Sequence, residues 1–154
     1  MRNRNLNEIR NRTPGMTWKT YALFICILFL LSTKSYAAGI MPYELLCNMQ
    51  ISPLGVEEEH PALSWKLSST GRNQIQTAYQ VLVADDPRLL KKDSGNAWNS
   101  GKISSTQSLN INYKSKELRA ATKNYWKIRA WDKWGNRSAW SEIAGWQMGL
   151  TAQR

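Results

Sequence analysis

The chain has 154 residues, with 21 Lys and Arg against 11 Asp and Glu, for a formal charge of +10 at pH 7. That length suits one domain and excludes a large multidomain enzyme. Half of the net charge sits in residues 1–37, where six basic groups face one acid, so a nucleic-acid reading built on whole-chain charge loses half its support. Eight Trp and six Tyr argue for a packed domain rather than a disordered one.

Tyr21 to Leu31 reads YALFICILFLL, an uncharged run too short to span a bilayer, which needs about 20 apolar residues. Basic residues precede it and Ser35-Tyr36-Ala37 follows, with small residues where a signal peptidase reads. This pattern predicts a signal-peptide helix over residues 1–37, cut after Ala37 (Ala38 is the alternative), and an exported protein with no stable membrane span after cleavage. Met16 would give a more ordinary start than Met1, and an uncleaved anchor is the rival reading. Cleavage removes Cys26, so the mature chain keeps Cys47 alone and forms no internal disulfide. Cys47 is expected to be a small buried hydrophobe facing inward with Leu45, Met49 and Ile51.

From residue 38 onward, period-two alternation recurs instead of a helical period. Leu45, Cys47, Met49 and Ile51 share one face of a first strand, ended by Ser52-Pro53-Leu54-Gly55. Leu63, Trp65 and Leu67 alternate with Ser64, Lys66 and Ser68 in a second, and Tyr79, Val81 and Val83 mark a third. Between the first two strands, Val56 to Pro61 reads as a solvated loop. Asp85-Asp86 starts a single helical turn over Pro87 to Lys92. Leu109, Ile111 and Tyr113 alternate in a fourth strand, and Trp126, Ile128 and Ala130 in a fifth. After the turn Asp132 to Asn136, a strand returns over Ala139 to Met148. Short strands separated by turn signals predict an all-β sandwich of about seven strands, immunoglobulin-like or fibronectin type III-like, over residues 38–154 with its core at about 44–150. The expected core is Leu63, Trp65, Tyr79, Val81, Val83, Leu109, Trp126 and Ile128.

No constellation for catalysis stands out. His60 is the only His and precedes a Pro, which leaves no His triad and no His-rich metal site. Glu57-Glu58-Glu59 and Asp85-Asp86 read as solvated loop charge rather than the paired carboxylates of a glycosidase. No phosphate-binding Gly loop occurs, and neither a cofactor nor a metal is implied. The aromatic and basic residues Trp131, Trp134, Trp140, Arg129 and Arg137, with Lys127, form the candidate functional surface. Three readings stand: a platform on which sugar rings stack, a structural ladder of cations on indoles, or a docking surface for another domain. The scattered mature-chain Lys and Arg do not favour nucleic acid.

Several ordered segments carry a more specific likeness. Ser52-Pro53-Leu54-Gly55, Pro61-Ala62-Leu63-Ser64-Trp65, Gln76 to Ala84, Ala97 to Ile103, Tyr125 to Asp132 and Ser138-Ala139-Trp140-Ser141 together resemble the N-terminal fibronectin III-like domain of bacterial α-L-rhamnosidases of glycoside hydrolase family 78. The resemblance runs from about Cys47 to Leu150. It implies an accessory module that packs against a downstream catalytic domain, with a truncated or split gene product as the expected origin of a chain this short. Rhamnose-containing polysaccharide is the ligand implied if the module binds sugar by itself. No catalytic residue carries over. One departure is informative. Such domains place a Tyr six residues after the Leu matching Leu118, and here Asn124 holds that position with Tyr125 one residue late. The expectation is an unbulged strand with Trp126 buried, Tyr125 on the opposite face beside Lys127 and Arg129, and Asn124 hydrogen-bonding locally.

Overall fold

A computed structural model describes residues 39–115 and 117–150. The expected signal segment and its cleavage site lie outside the described residues. Eight strands and one helical turn follow in order: β1 Ile40–Cys47, β2 Ala62–Ser69, β3 Ala78–Ala84, α1 Pro87–Lys91, β4 Trp98–Asn99, β5 Ile103–Ser104, β6 Ile111–Asn112, β7 Lys123–Trp131 and β8 Ala144–Gln147. One sheet has the order β1-β2-β6 and the other β4-β3-β7-β8, with β5 also pairing β3. All strand pairs are antiparallel. Among the described residues no helix is long and apolar enough to cross a membrane.

β3 and β7 pair in unbroken register from Ala78↔Trp131 to Ala84↔Tyr125. Alternation therefore assigns two rows to the larger sheet. The inner row, Tyr79, Val81 and Val83 beside Trp126, Ile128 and Ala130, is buried. It packs on Leu45, Cys47, Leu63 and Trp65 of the other sheet, with Tyr113, Trp146 and Met148 closing the core. Each large side chain so buried contributes roughly 1.5–3 kcal/mol. β3 is apolar on its outer face too, because Leu82 and Ala84 meet Leu90 of α1. Asp86 caps that turn, accepting from the Arg88 N–H at 2.8 Å, and Pro87 opens it where its missing N–H costs nothing.

β7 has no bulge, so Trp126 is buried inward while Tyr125 joins the outer cluster with Leu82 and Leu90. Asn124 departs from expectation: it is buried, and its Nδ2 has no hydrogen-bond partner. The first strand also differs. It starts at Ile40 and stops at Cys47, where Asn48 (φ 48°) and Met49 (φ 63°) make a two-residue reverse turn, closed by mutual bonds between Cys47 and Gln50. Cys47 and Leu45 are buried as expected, but the turn throws Met49 and Ile51 outward, 59% and 72% exposed. Leu109 is likewise 54% exposed rather than core, since Asn110 takes φ 53° and breaks the alternation before Ile111. Ser64, which alternates with Leu63 and Trp65, is fully buried as well, its hydroxyl accepting from the Asn110 N–H at 2.9 Å. Val56 is buried and bridges Met148, so the solvated loop begins only at Glu57.

The returning segment is a regular strand only over Ala144–Gln147. Before it, Ser138 and Ser141 supply side-chain acceptors. Their hydroxyls take the Ala130 and Ile128 N–H groups at 3.0 Å each, while their own N–H groups donate to the carbonyls of the same two residues at 2.8 Å. Residues 138–141 thus run along β7 on alternating hydroxyl and backbone bonds.

Candidate functional site

The outer row of the larger sheet carries the candidate residues. Lys127, Arg129 and Trp131 alternate along β7 and sit opposite Leu82, Gln80 and Ala78. The serine-stitched segment 138–141 lies alongside and delivers Trp140 to this face. The Arg129 guanidinium lies 4.3 Å from the Trp140 ring centre and 5.4 Å from that of Trp131. Lys127 Nζ is 4.5 Å from the Trp140 ring, and Lys102 Nζ is 4.9 Å from Trp131. A ladder of cations and indoles results.

Hydrogen bonds fix the rungs. Arg129 Nε and Nη2 donate to Gln80 Oε1 at 2.9 and 2.7 Å, and Gln80 Nε2 donates to Asn99 Oδ1 at 2.8 Å, linking β7, β3 and β4. Lys127, buried, pairs with Asp93 at the end of α1. Burial and the neighbouring Arg137 charge both lower the Arg129 pKa from its usual range. The Lys127 hydrogen bond is the main cause holding the Asp93 carboxyl below the usual range.

The five candidates do not all meet. Arg129, Trp131 and Trp140 form the stack. Arg137 is exposed, and its backbone bridges Trp131. Trp134 stands apart, 63% exposed, with Lys133 4.6 Å from its ring centre. Its turn is organised by Asp132, whose buried carboxylate accepts from the N–H groups of Trp134 and Asn136 at 2.9 Å, from Asn136 Nδ2 at 3.2 Å and from the Gly39 N–H at 3.2 Å. Burial acts to raise the Asp132 carboxyl, but these hydrogen bonds outweigh it and the net direction is down. Gln80, Asn99, Lys102 and Asp93 were missed from sequence; their only signal there is a polar residue interrupting an apolar strand, as at Gln80.

An open hollow of about 420 Å³ lies at the other edge of the sandwich, between β4, β5 and β6, and is lined by Tyr79, Trp98, Asn99, Asn110, Asn112 and Lys114 among others. Two antiparallel sheets ordered β1-β2-β6 and β4-β3-β7-β8 around one inner core define an immunoglobulin-like, fibronectin type III-like β-sandwich.

The comparisons narrow that class. The chain belongs to the family described as Rha78A-like, N-terminal immunoglobulin domain, which matches residues 42–152. An α-L-rhamnosidase of Formosa agariphila is 40% identical over 107 residues, 70% of this chain and 11% of that protein. Another, of Streptomyces avermitilis, is 38% identical over 98 residues, 64% of this chain and 9% of that one. The solved structure of the Streptomyces avermitilis α-L-rhamnosidase complexed with L-rhamnose matches with a TM-score of 0.69 at 33% identity, over 73% of this chain and 11% of that one. The structure of α-L-rhamnosidase from Dictyoglumus thermophilum matches at 0.70 and 34%, over 78% and 13%. The chain therefore spans about a tenth of the length of the relatives it matches. The resemblance carried by the sequence segments is borne out.

Proposed function

We propose that this chain is a non-catalytic accessory β-sandwich of an exported α-L-rhamnosidase-like glycoside hydrolase, one that packs against and positions the catalytic and carbohydrate-binding domains of such an enzyme. The family match over residues 42–152 carries the reading. The site supports it. Arg129, Lys127 and Lys102 lie against the Trp140 and Trp131 rings, leaving those indoles engaged within the domain rather than offered to a pyranose. The Asp132 carboxylate is committed to four structural hydrogen bonds, which is no setting for a general acid or base.

The purified chain should release no rhamnose from an aryl α-L-rhamnoside; sustained release would establish a hydrolase and end this reading. A second reading, an autonomous carbohydrate-binding module, rests on the exposure of Trp134. Calorimetric titration with rhamnose-containing polysaccharide decides it. Saturable heat abolished by Trp134→Ala favours the module, and no heat removes it. Export is tested by sequencing the N-terminus of the protein recovered from culture, which starts at Ala38 if the signal is cut after Ala37.

A further inference from the structure

β1 and β8 are the outermost strands of their two sheets and lie at the same edge of the sandwich. Two adjoining hollows of about 430 and 390 Å³ open there, sharing Ser52, Ile143 and Ala144. Met41, Tyr43 and Ile51 line one of them, Leu54 and Tyr125 the other, and Ile143 both. Ile51 and Leu54 are the most exposed of these, and Leu54 is 79% exposed.

Their exposure is built in rather than loose. Ser52 (φ 48°) and Gly55 (φ 76°) turn the chain outward in the left-handed region, which glycine adopts most readily. Both ends of the turn are bonded to β8: Gln147 N–H donates to Pro53 O at 3.0 Å, and Val56 N–H donates to Gln147 O at 2.9 Å. The turn is thus pinned beside β8 with its two large apolar side chains facing solvent. β8 itself carries no charge. β1 is already blunted by Pro42, Glu44 and a bulge, and the pinned turn covers part of β8, so the edge offers exposed apolar side chains rather than unpaired backbone. Those side chains are rimmed by Glu44, Glu142 and Lys123, and an exposed apolar patch with a polar rim marks a contact surface.

We infer that this edge docks the domain that follows the sandwich in a full-length α-L-rhamnosidase, with Ile51 and Leu54 as its anchors. The inference rests on the accessory-module reading above. Three observations select this occupant. The matched family is an N-terminal domain, and the relatives extend for roughly ten times its length, so in them most of the chain follows it. β8 is the last strand among the described residues, and Gly149 is tied to the pinned turn by its N–H on Val56 O at 2.7 Å, so the chain that follows such a domain in a relative leaves from beside the patch. A tethered neighbour is then held there at high effective concentration and needs no large interface of its own. The hollow at the opposite edge mixes Asn99, Asn110, Asn112 and Lys114 with Trp98, Ile103 and Ile111, and of its apolar lining Ile103 is only 39% exposed, well short of Ile51 and Leu54.

The test grafts residues 39–150 in place of the matching domain of the Formosa agariphila enzyme and introduces Ile51→Asp with Leu54→Asp. In the isolated chain the double variant should shift Tm by no more than about 3 °C, because both residues are exposed. In the graft it should split one cooperative thermal transition into two. If the unsubstituted graft already melts in two independent steps, the accessory-module reading itself fails. If it melts in one step that the double variant leaves intact, that reading stands and this surface is wrong. A graft that does not fold although the isolated chain does also counts against the surface. So does sedimentation showing a dimer of the isolated chain that the double variant dissociates, which would assign the edge to a second copy.

Discussion

The Arg129 guanidinium lies 4.3 Å from the centre of the Trp140 ring, and Gln80 on the neighbouring strand holds it there through two donors on one carbonyl oxygen. Planarity matters in this arrangement: a guanidinium can lie flat on the indole while donating sideways, whereas an ammonium cannot do both. Arg129→Lys keeps the charge and should still cost roughly 1–2 kcal/mol, read from the urea midpoint at constant m-value. Equal stability of the two proteins would show that the stack contributes nothing beyond charge.

Asp132 should make stability depend on acid. Its folded-state pKa is lowered, so its contribution is complete above the unfolded Asp value of about 3.9 and is lost as pH falls through the folded value. Asp132→Asn presents an amide where the carboxylate now accepts from Trp134 and Asn136, and should cost about 2–3 kcal/mol at pH 7. The difference between the two proteins should shrink below about pH 4, where the wild type loses its advantage. A gap that stays constant down to pH 2 would contradict this assignment.

Cys47 should be inert in the folded domain. Burial, with a smaller contribution from the Glu58 charge, pushes its thiol up to about 12. Thiolate is the reactive form, so labelling by a thiol reagent at pH 8 should be slow in buffer and immediate in denaturant. Rapid labelling in buffer would show that β1 opens or that the side chain faces out.

Asn124 occupies the position of the missing corner tyrosine and leaves a buried amide without a partner. Beside it a hollow of about 290 Å³ is lined by Tyr113, Leu118 and Thr122. Asn124→Tyr should therefore stabilise the domain by about 1 kcal/mol, through a filled hollow and a removed unpaired donor. Tyr125→Ala should cost less than Trp126→Ala, for which about 3–5 kcal/mol is expected, since Trp126 is fully buried and Tyr125 only half-buried. A lower Tm for Asn124→Tyr, or a reversed order of the two alanine variants, would refute the facing assigned to β7.

The inner row of β3 and β7 was legible because Tyr79, Val81, Val83, Trp126 and Ile128 alternate without interruption, and alternation is what a half-buried strand requires. Met49, Ile51 and Leu109 continued such patterns and were misplaced for one reason. A left-handed residue, Asn48 or Asn110, reverses or twists the chain, and apolar spacing alone does not register it. Ser138 and Ser141 hid the real course of the returning segment, since their hydroxyls take ladder bonds that a strand reading assigns to backbone. The candidate surface was half legible: Arg129, Trp131 and Trp140 meet, but the Asp132-organised turn carries Trp134 away. The exposed edge of Ile51 and Leu54 could not be read, because an apolar residue beside a turn looks the same whether it faces the core or solvent.

The accessory-module account is tested most directly by thermal inactivation of the Formosa agariphila α-L-rhamnosidase in three forms: intact, lacking its matched N-terminal domain, and carrying residues 39–150 of this chain in that place. The account predicts that removal shortens the half-life of activity at elevated temperature and that the grafted sandwich restores most of it. A graft no longer-lived than the deletion would contradict the claim that this domain supports its neighbours by packing against them.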